Sequence, residues 1–172
     1  MKNILIILAI LMTGSVFSQE KVPTVKNNNF LGIHVGATSG IGLTYRRVTG
    51  NFATQLTFLP FRRQTGKDYI YNWESFGIME LLKLKESKNI DMNLYFGIHY
   101  IHIDRLAWDY LSSYSYSTKK VSEEHFNFGA GINFSFRITD YFRIETGLGY
   151  GAYTYGDLQL WPTGELSFLY GF

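Results

Sequence analysis

Between His125 and Ala152 apolar and polar residues alternate almost without a break. Phe126, Phe128, Ala130, Ile132, Phe134, Phe136 and Ile138 fall in one phase, and His125, Asn127, Gly129, Gly131, Asn133, Ser135 and Arg137 in the other. After Thr139-Asp140-Tyr141 the pattern resumes, with Phe142, Ile144, Thr146, Leu148, Tyr150 and Ala152 against Arg143, Glu145, Gly147, Gly149 and Gly151. Successive side chains of a strand point to opposite faces, so this is a hairpin with one apolar and one polar wall. A turn centred on Asp140 sets Arg137 opposite Arg143 and keeps both walls in phase. Each arm exceeds ten residues. Strands of globular proteins run to about 5–6 residues, whereas a tilted strand crossing a bilayer needs about 9–11. The pattern predicts two membrane-spanning strands, their aromatic wall toward lipid and their glycine-rich wall toward a crowded barrel interior.

The same period recurs along the chain. It predicts strands over 30–38, 41–48, 52–61, 69–84 and 92–104 before the hairpin, and a closing strand at the C-terminus, eight in all. Tight turns are expected at Ser39-Gly40 and Thr49-Gly50-Asn51, a charged turn at 85–91, and loops at 62–67 and 156–162. The longest connection is expected at 105–124, a Tyr- and Ser-rich stretch. Strand four is ambiguous. Directing Phe76, Ile78 and Leu82 outward would put Glu74 and Glu80 in lipid, which is costly, so Glu80 is expected to point inward or a bulge to re-phase the strand.

The chain starts with Lys2, an apolar run from Ile4 to Met12, and small residues at Ser15 and Ser18. This predicts a secretory signal peptide over 1–18, a flexible periplasmic leader over 19–29 and a barrel over 30–172. The apolar run is too short for a spanning helix. The absence of cysteine excludes disulfides and thiolate metal sites. The formal charge of +2 suggests no nucleic-acid surface. Neither the histidines nor the glycines fall into a metal-ligand or phosphate-loop spacing: His99 and His102 face opposite ways, and Gly147, Gly149 and Gly151 lie along a strand. No catalytic residue, cofactor or metal is expected.

An eight-stranded barrel is just wide enough for its own side chains, which excludes a wide porin channel. The inward charges Arg46, Glu80, Arg137, Arg143, Glu145 and Glu165 are therefore expected to form a buried network, with Arg137 and Glu145 as first pair. Tyr110, Tyr114 and Tyr116 offer a surface-binding patch on the 105–124 connection. The C-terminal strand, Glu165 to Phe172, ends on an aromatic residue. In this it resembles the terminal strand of bacterial outer-membrane barrels. With the signal peptide and the hairpin, the chain resembles small barrels of the OmpA-transmembrane-domain or OmpX type. That resemblance implies Sec-type export, insertion into outer-membrane lipid, recognition of Phe172 by the barrel-assembly machinery, and a structural or surface-interaction role. The alternatives are a lipid A-modifying enzyme, for which His102 and Asp104 are the nearest candidates, and a soluble lipocalin-like carrier, which would need the opposite facing.

Overall fold

The period-two stretches fold as eight strands in a computed structural model that describes residues 27–65, 69–112, 115–155 and 157–172, with backbone alone at 63–65, 69–70, 106–112, 115–119 and 155. They are β1 (Asn29–Gly36), β2 (Gly40–Thr49), β3 (Phe52–Thr65), β4 (Tyr69–Glu86), β5 (Ile90–Ser112), β6 (Ser115–Arg137), β7 (Phe142–Tyr155) and β8 (Asp157–Gly171). Each pairs antiparallel with the next, and β8 returns to β1, so the sheet closes on itself. Closure removes the strand edges that an open sheet would expose along its whole length, leaving among the described residues only the upper parts of β3 and β8, above β1 and β2, without a partner on that side. Arg137 faces Arg143, the register that the sequence pattern predicts. Residues 1–18, and the predicted leader up to residue 26, lie outside the described residues. Asn28 is already tied down, its carbonyl accepting the Val48 N–H at 2.7 Å.

The pairing defines the barrel's stagger. Followed from partner to partner, the row that starts at Asn29 passes through Arg47, Thr54, Glu80, Phe96, Ala130, Tyr150 and Pro162. Gly36 faces Glu165, so Pro162 lies level on the ladder with position 39, ten residues above the start. Such a stagger over eight strands tilts them about 40° from the barrel axis, and each residue then climbs about 2.5 Å. Large apolar side chains cover the outside: Leu31, Ile33 and Val35 on β1, Leu56 and Phe58 on β3, Phe76 and Ile78 on β4, Leu94, Phe96 and Ile98 on β5, Leu148 and Tyr150 on β7, Leu166, Phe168 and Tyr170 on β8. This belt climbs about ten residues, roughly 25 Å, the height of the apolar band on barrels that face lipid.

Three expectations are corrected. The loops expected at 105–124 and 156–162 are strand wherever they are described: β5 and β6 are 23 residues each and pair from Ile90–Phe136 up to Ser112–Ser115, and β8 begins at Asp157. Tyr, Ser and Thr suit a strand as well as a loop when a neighbour supplies the ladder. Glu80 lies on the outer face, exposed, and accepts a hydrogen bond from Thr54 Oγ1 at 3.0 Å. The inward phase of β4 belongs to Ser75, Gly77, Met79 and Leu81, all buried, while Phe76 and Ile78 point out. A bulge does occur in β4, between Lys83 and Lys85, below the residues it was invoked to re-phase. Finally, the turn after β1 is not at the rim. It lies inside the barrel.

Candidate functional site: a hairpin tip folded into the lumen

Strands β1 and β2 are the shortest of the eight, and their connection, Ala37-Thr38-Ser39, bends into the lumen. Thr38 and Ser39 have no solvent exposure. A polar turn inside a barrel must have its hydrogen-bonding groups satisfied there, and the facing strands supply partners. Glu165 of β8 accepts from Thr38 Oγ1 at 2.8 Å and from the Ser39 hydroxyl. His34 lies 2.7 Å from Ser167 Oγ through Nδ1 and, through Nε2, 2.6 Å from Ser39 Oγ and 3.1 Å from Glu165 Oε2. The Ala37 carbonyl accepts from Asn127 Nδ2 and from His99 Nδ1, each at 3.0 Å. A carbonyl only accepts, so His99 carries its proton on Nδ1, and its Nε2 takes the Ser75 hydroxyl at 2.8 Å. Ser75 Oγ in turn accepts the Ile41 N–H at 3.0 Å.

Glycines make the room. Gly77, Gly97, Gly129 and Gly151 point inward from four successive strands, β4 to β7, and surround the tip. A Cβ at Gly129 would lie 2.6 Å from Thr38 Cβ, and one at Gly77 2.7 Å from Gly40 Cα. Gly40 itself adopts φ 100°, a conformation that side chains disfavour. The inward position of Gly77 also accounts for the facing of Glu80. With the tip at Gly77, shifting β4 by one residue would drive Phe76 or Ile78 into the turn.

Below the tip, toward the chain termini, the lumen is charged. Arg46 makes a bidentate pair with Glu145 at 2.5 and 2.6 Å and donates to Gln55 Oε1. Arg137 donates to both Asp91 oxygens, at 2.7 and 2.9 Å, and to Glu86 at 2.8 Å. Arg143 lies 3.5 Å from Asp91 and over the Phe30 ring, 4.6 Å from its centroid. The expected pairing of Arg137 with Glu145 does not form. Glu145 stands opposite Ser135 and reaches across the lumen to β2, while Arg137 turns to the carboxylates beside it. Of the six charges expected inside, Arg46, Arg137, Arg143, Glu145 and Glu165 line the lumen and Glu80 does not. Glu165 serves the hairpin tip rather than the arginines. Asp91 and Glu86, placed in a turn by sequence reasoning, complete the network.

Above the tip the inward phase changes character. Phe61, Tyr71, Trp73, Ile101, Ile103, Tyr153 and Trp161 share the inward phase there, where the lower lumen mixes paired charges and small polar side chains with the buried Met79, Leu81, Tyr95 and Leu169. A chamber of about 270 Å³ lies among Ile41, Tyr71, Trp73, Ile101, Ile103 and Tyr153, with His99 and Asn127 at its floor. Beyond the belt the paired ends of β5 and β6 are charged, Asp104 and Lys120 on the outer face and Arg105 and Glu123 in the inward phase. Lys120 Nζ lies 3.2 Å from Asp104, and Arg105 donates to Glu123 at 2.6 Å. Hydrogen bonds from Ser122 and Lys120 hold the partly buried Asp104 carboxyl below its usual range, and one from Arg105 does the same for Glu123. His102 sits on this outer face 3.6 Å from Asp104, away from His99 in the lumen. The side chains of Tyr110, Tyr114 and Tyr116 lie outside the described residues. Phe172 ends the chain, exposed on the outside, its N–H bonded to the Asn29 carbonyl at 3.0 Å.

Sequence reasoning missed the tip and its anchors: His34, Thr38, Ser39, Ser75, His99 and Asn127. The signal available was the inward glycine that recurs on successive strands.

No family model matches the chain, and no curated protein does. Among solved structures it is similar to Ail, the attachment invasion locus protein of Yersinia pestis, at 16% identity over 84% of this chain and 96% of that one, with a TM-score of 0.46. It is similar to the N-terminal β-barrel domain of Pseudomonas aeruginosa OprF at 13% identity, over 84% and 98%, TM-score 0.42. It is similar to Neisserial surface protein A at 10% identity, over 82% and 91%, TM-score 0.41. At these values the likenesses assign this chain neither an activity nor a ligand.

Proposed function

We propose that this chain is an outer-membrane β-barrel of structural or surface-interaction type, exported by a Sec-type signal over residues 1–18 and inserted through recognition of its C-terminal strand and Phe172. The observation that carries this reading is the apolar belt. Exposed Leu, Ile, Val, Phe and Tyr ring a closed barrel over roughly 25 Å, an outside that water penalises and hydrocarbon does not. A lipocalin-like carrier would have the opposite facing on every strand. The hairpin tip and the arginine–carboxylate network occupy the lumen, which fits a membrane anchor rather than a wide porin channel. Its serine–histidine contacts hold the tip, Ser75 with His99 and Ser39 with His34, and each hydroxyl is fully buried. They do not serve as nucleophiles in this reading. The active surface is then the outer end of β5 and β6, where Asp104, Arg105, Lys120 and Glu123 lie above the belt and Tyr110, Tyr114 and Tyr116 of the sequence are the candidate contacts for a surface partner.

Cell fractionation combined with gel mobility before and after boiling tests the reading. The protein is expected in the outer-membrane fraction, migrating as a folded species until heated. Recovery in a soluble fraction without detergent would overturn it.

A further inference from the structure

The wall of the barrel is incomplete beside the hairpin. Strand β1 pairs with β8 only up to Gly36–Glu165, and β2 pairs with β3 only up to Leu43–Phe58. Above these pairs β8 continues through Gly164 to Asp157 and β3 through Leu59 to Arg62. Among the described residues no strand pairs with either edge there. The tip that would have filled the interval has turned inward and become the floor of the chamber.

The sequence is adapted to this gap. Two of the chain's three prolines, Pro60 and Pro162, stand on its two flanks. Proline has no N–H to give to a neighbouring strand and is confined within sheets to edges and bulges. Allowing for the stagger, the two prolines stand at the same height, near the upper margin of the apolar belt. Phe61 and Trp161 are in the inward phase of their strands, yet they are 43% and 59% exposed, because the wall beside them is missing.

The gap opens on the chamber. A barrel lumen that meets only water carries polar side chains, and the lower lumen is closed by the paired charges of Arg46, Glu145, Arg137 and Asp91 with Phe30, Met79, Leu81, Tyr95 and Leu169 buried beside them. This upper part presents Ile41, Tyr71, Trp73, Ile101, Ile103 and Tyr153 instead. Its volume, about 270 Å³, falls just short of the roughly 300–1,000 Å³ typical of pockets that enclose whole small ligands. It suits a single chain better than a whole molecule. Its side opening faces the outer margin of the belt, where the nearest apolar material is lipid hydrocarbon.

We infer that the chamber takes one hydrocarbon chain of an outer-leaflet lipid, which enters sideways between β3 and β8 and rests on the inward-folded tip. The tip closes the lumen beneath, so the chain is held and not passed through. This inference rests on the membrane reading above, and the test separates the two.

The full-length mature protein is reconstituted in phosphatidylcholine vesicles containing a phosphatidylcholine with a diazirine on its acyl chain, irradiated, and mapped by peptide mass spectrometry. Labels are expected on the outward residues Phe76, Phe96 and Ile98, and also, to a similar extent, on the inward residues Tyr71, Trp73, Ile101 and Tyr153. Outward labels alone would overturn the inference and leave the membrane reading standing. Labels on neither face would overturn both. Ile103→Trp, which fills the chamber, guards against reaction through the wall. It should reduce labelling of Trp73 and Ile101 severalfold while Phe96 and Ile98 keep theirs. Inward labelling that survives the filling would count against the chamber.

Discussion

The lumen below the hairpin tip and the chamber above it are built on the same strands and by the same alternation, yet they obey opposite rules. Below, the inward side chains are buried and fill the lumen: charges pair across it, Arg46 to Glu145, Arg137 to Asp91, and Glu165 bonds Thr38, while Phe30, Met79, Leu81, Tyr95 and Leu169 pack among them. Above, the chamber is lined mainly by aromatic and aliphatic side chains, and Phe61 and Trp161 of the inward phase are 43% and 59% exposed, with the paired Arg105 and Glu123 at its upper end. The strand pattern decides only which side a residue faces. What it meets there depends on whether an opposing wall exists, and the inward bend of β1 and β2 supplies that wall below and removes it above. Stability should therefore reside in the lower half and in the belt, with the upper chamber nearly free of it.

The largest effect is expected at the lower pair. Arg46→Ala leaves the fully buried Glu145 carboxylate without its cation, which should cost about 3–5 kcal/mol in urea unfolding from detergent or lipid. The double change Arg46→Ala with Glu145→Ala should recover part of that loss. Additive losses would show that the two side chains do not act as a pair. The belt comes next. Phe96 is 56% exposed at mid-height, and Phe96→Arg should destabilise the inserted barrel by about 2–4 kcal/mol. The same substitution in a soluble protein would be mild, so a small effect would deny that this face meets lipid.

The glycine cradle gives a smaller and more local test. A Cβ at Gly77 would crowd the Ser39–Gly40 backbone, whereas one at Gly164 meets only the Gly147 carbonyl oxygen at 3.9 Å. Gly77→Ala is expected to cost about 1–3 kcal/mol by overpacking, and Gly164→Ala to be near neutral. Equal responses would mean that the tip is not seated where it lies here.

These three sites also show how much could be read in advance. Phe96 was legible because a lipid-facing residue interacts with a uniform medium, so phase alone decides its fate. Strand number, closure and the Arg137–Arg143 register follow from the same period. Arg46 and Glu145 were legible as inward charges but not as partners. Their contact crosses the lumen between β2 and β7, and its reach depends on barrel diameter and stagger rather than on sequence spacing. Gly77 was the hardest. A glycine in a strand is compatible with a bulge, a bend or a close approach, and only the unusual shortness of β1 and β2 turns four such glycines into a cradle. The facing of Glu80 failed for the same reason. Its cost in lipid was weighed, while the steric demand of the turn on Gly77, three residues away, was not visible.

The smallest effect is expected above the tip, and it decides the comparison. Trp161 has the inward phase of β8 but is 59% exposed, and its indole N–H is bonded at 3.0 Å to Gln159 of its own strand. A tryptophan in a packed barrel interior would lose several kcal/mol on truncation, because its removal leaves a cavity that the surroundings cannot close. Here there is no opposing wall to lose contact with, and Trp161→Gln should shift unfolding by no more than about 0.5 kcal/mol, the range of ordinary surface changes. Gln55, buried in the lower lumen at 0% exposure and bonded to Arg46 through the same oxygen twice, provides the matched control. Gln55→Leu should cost clearly more despite the smaller change in volume, because it strips hydrogen bonds from a buried guanidinium. If Trp161→Gln proved the more damaging, the upper chamber would be a packed core, and the division of the lumen into a stabilising lower half and an open upper one would be wrong.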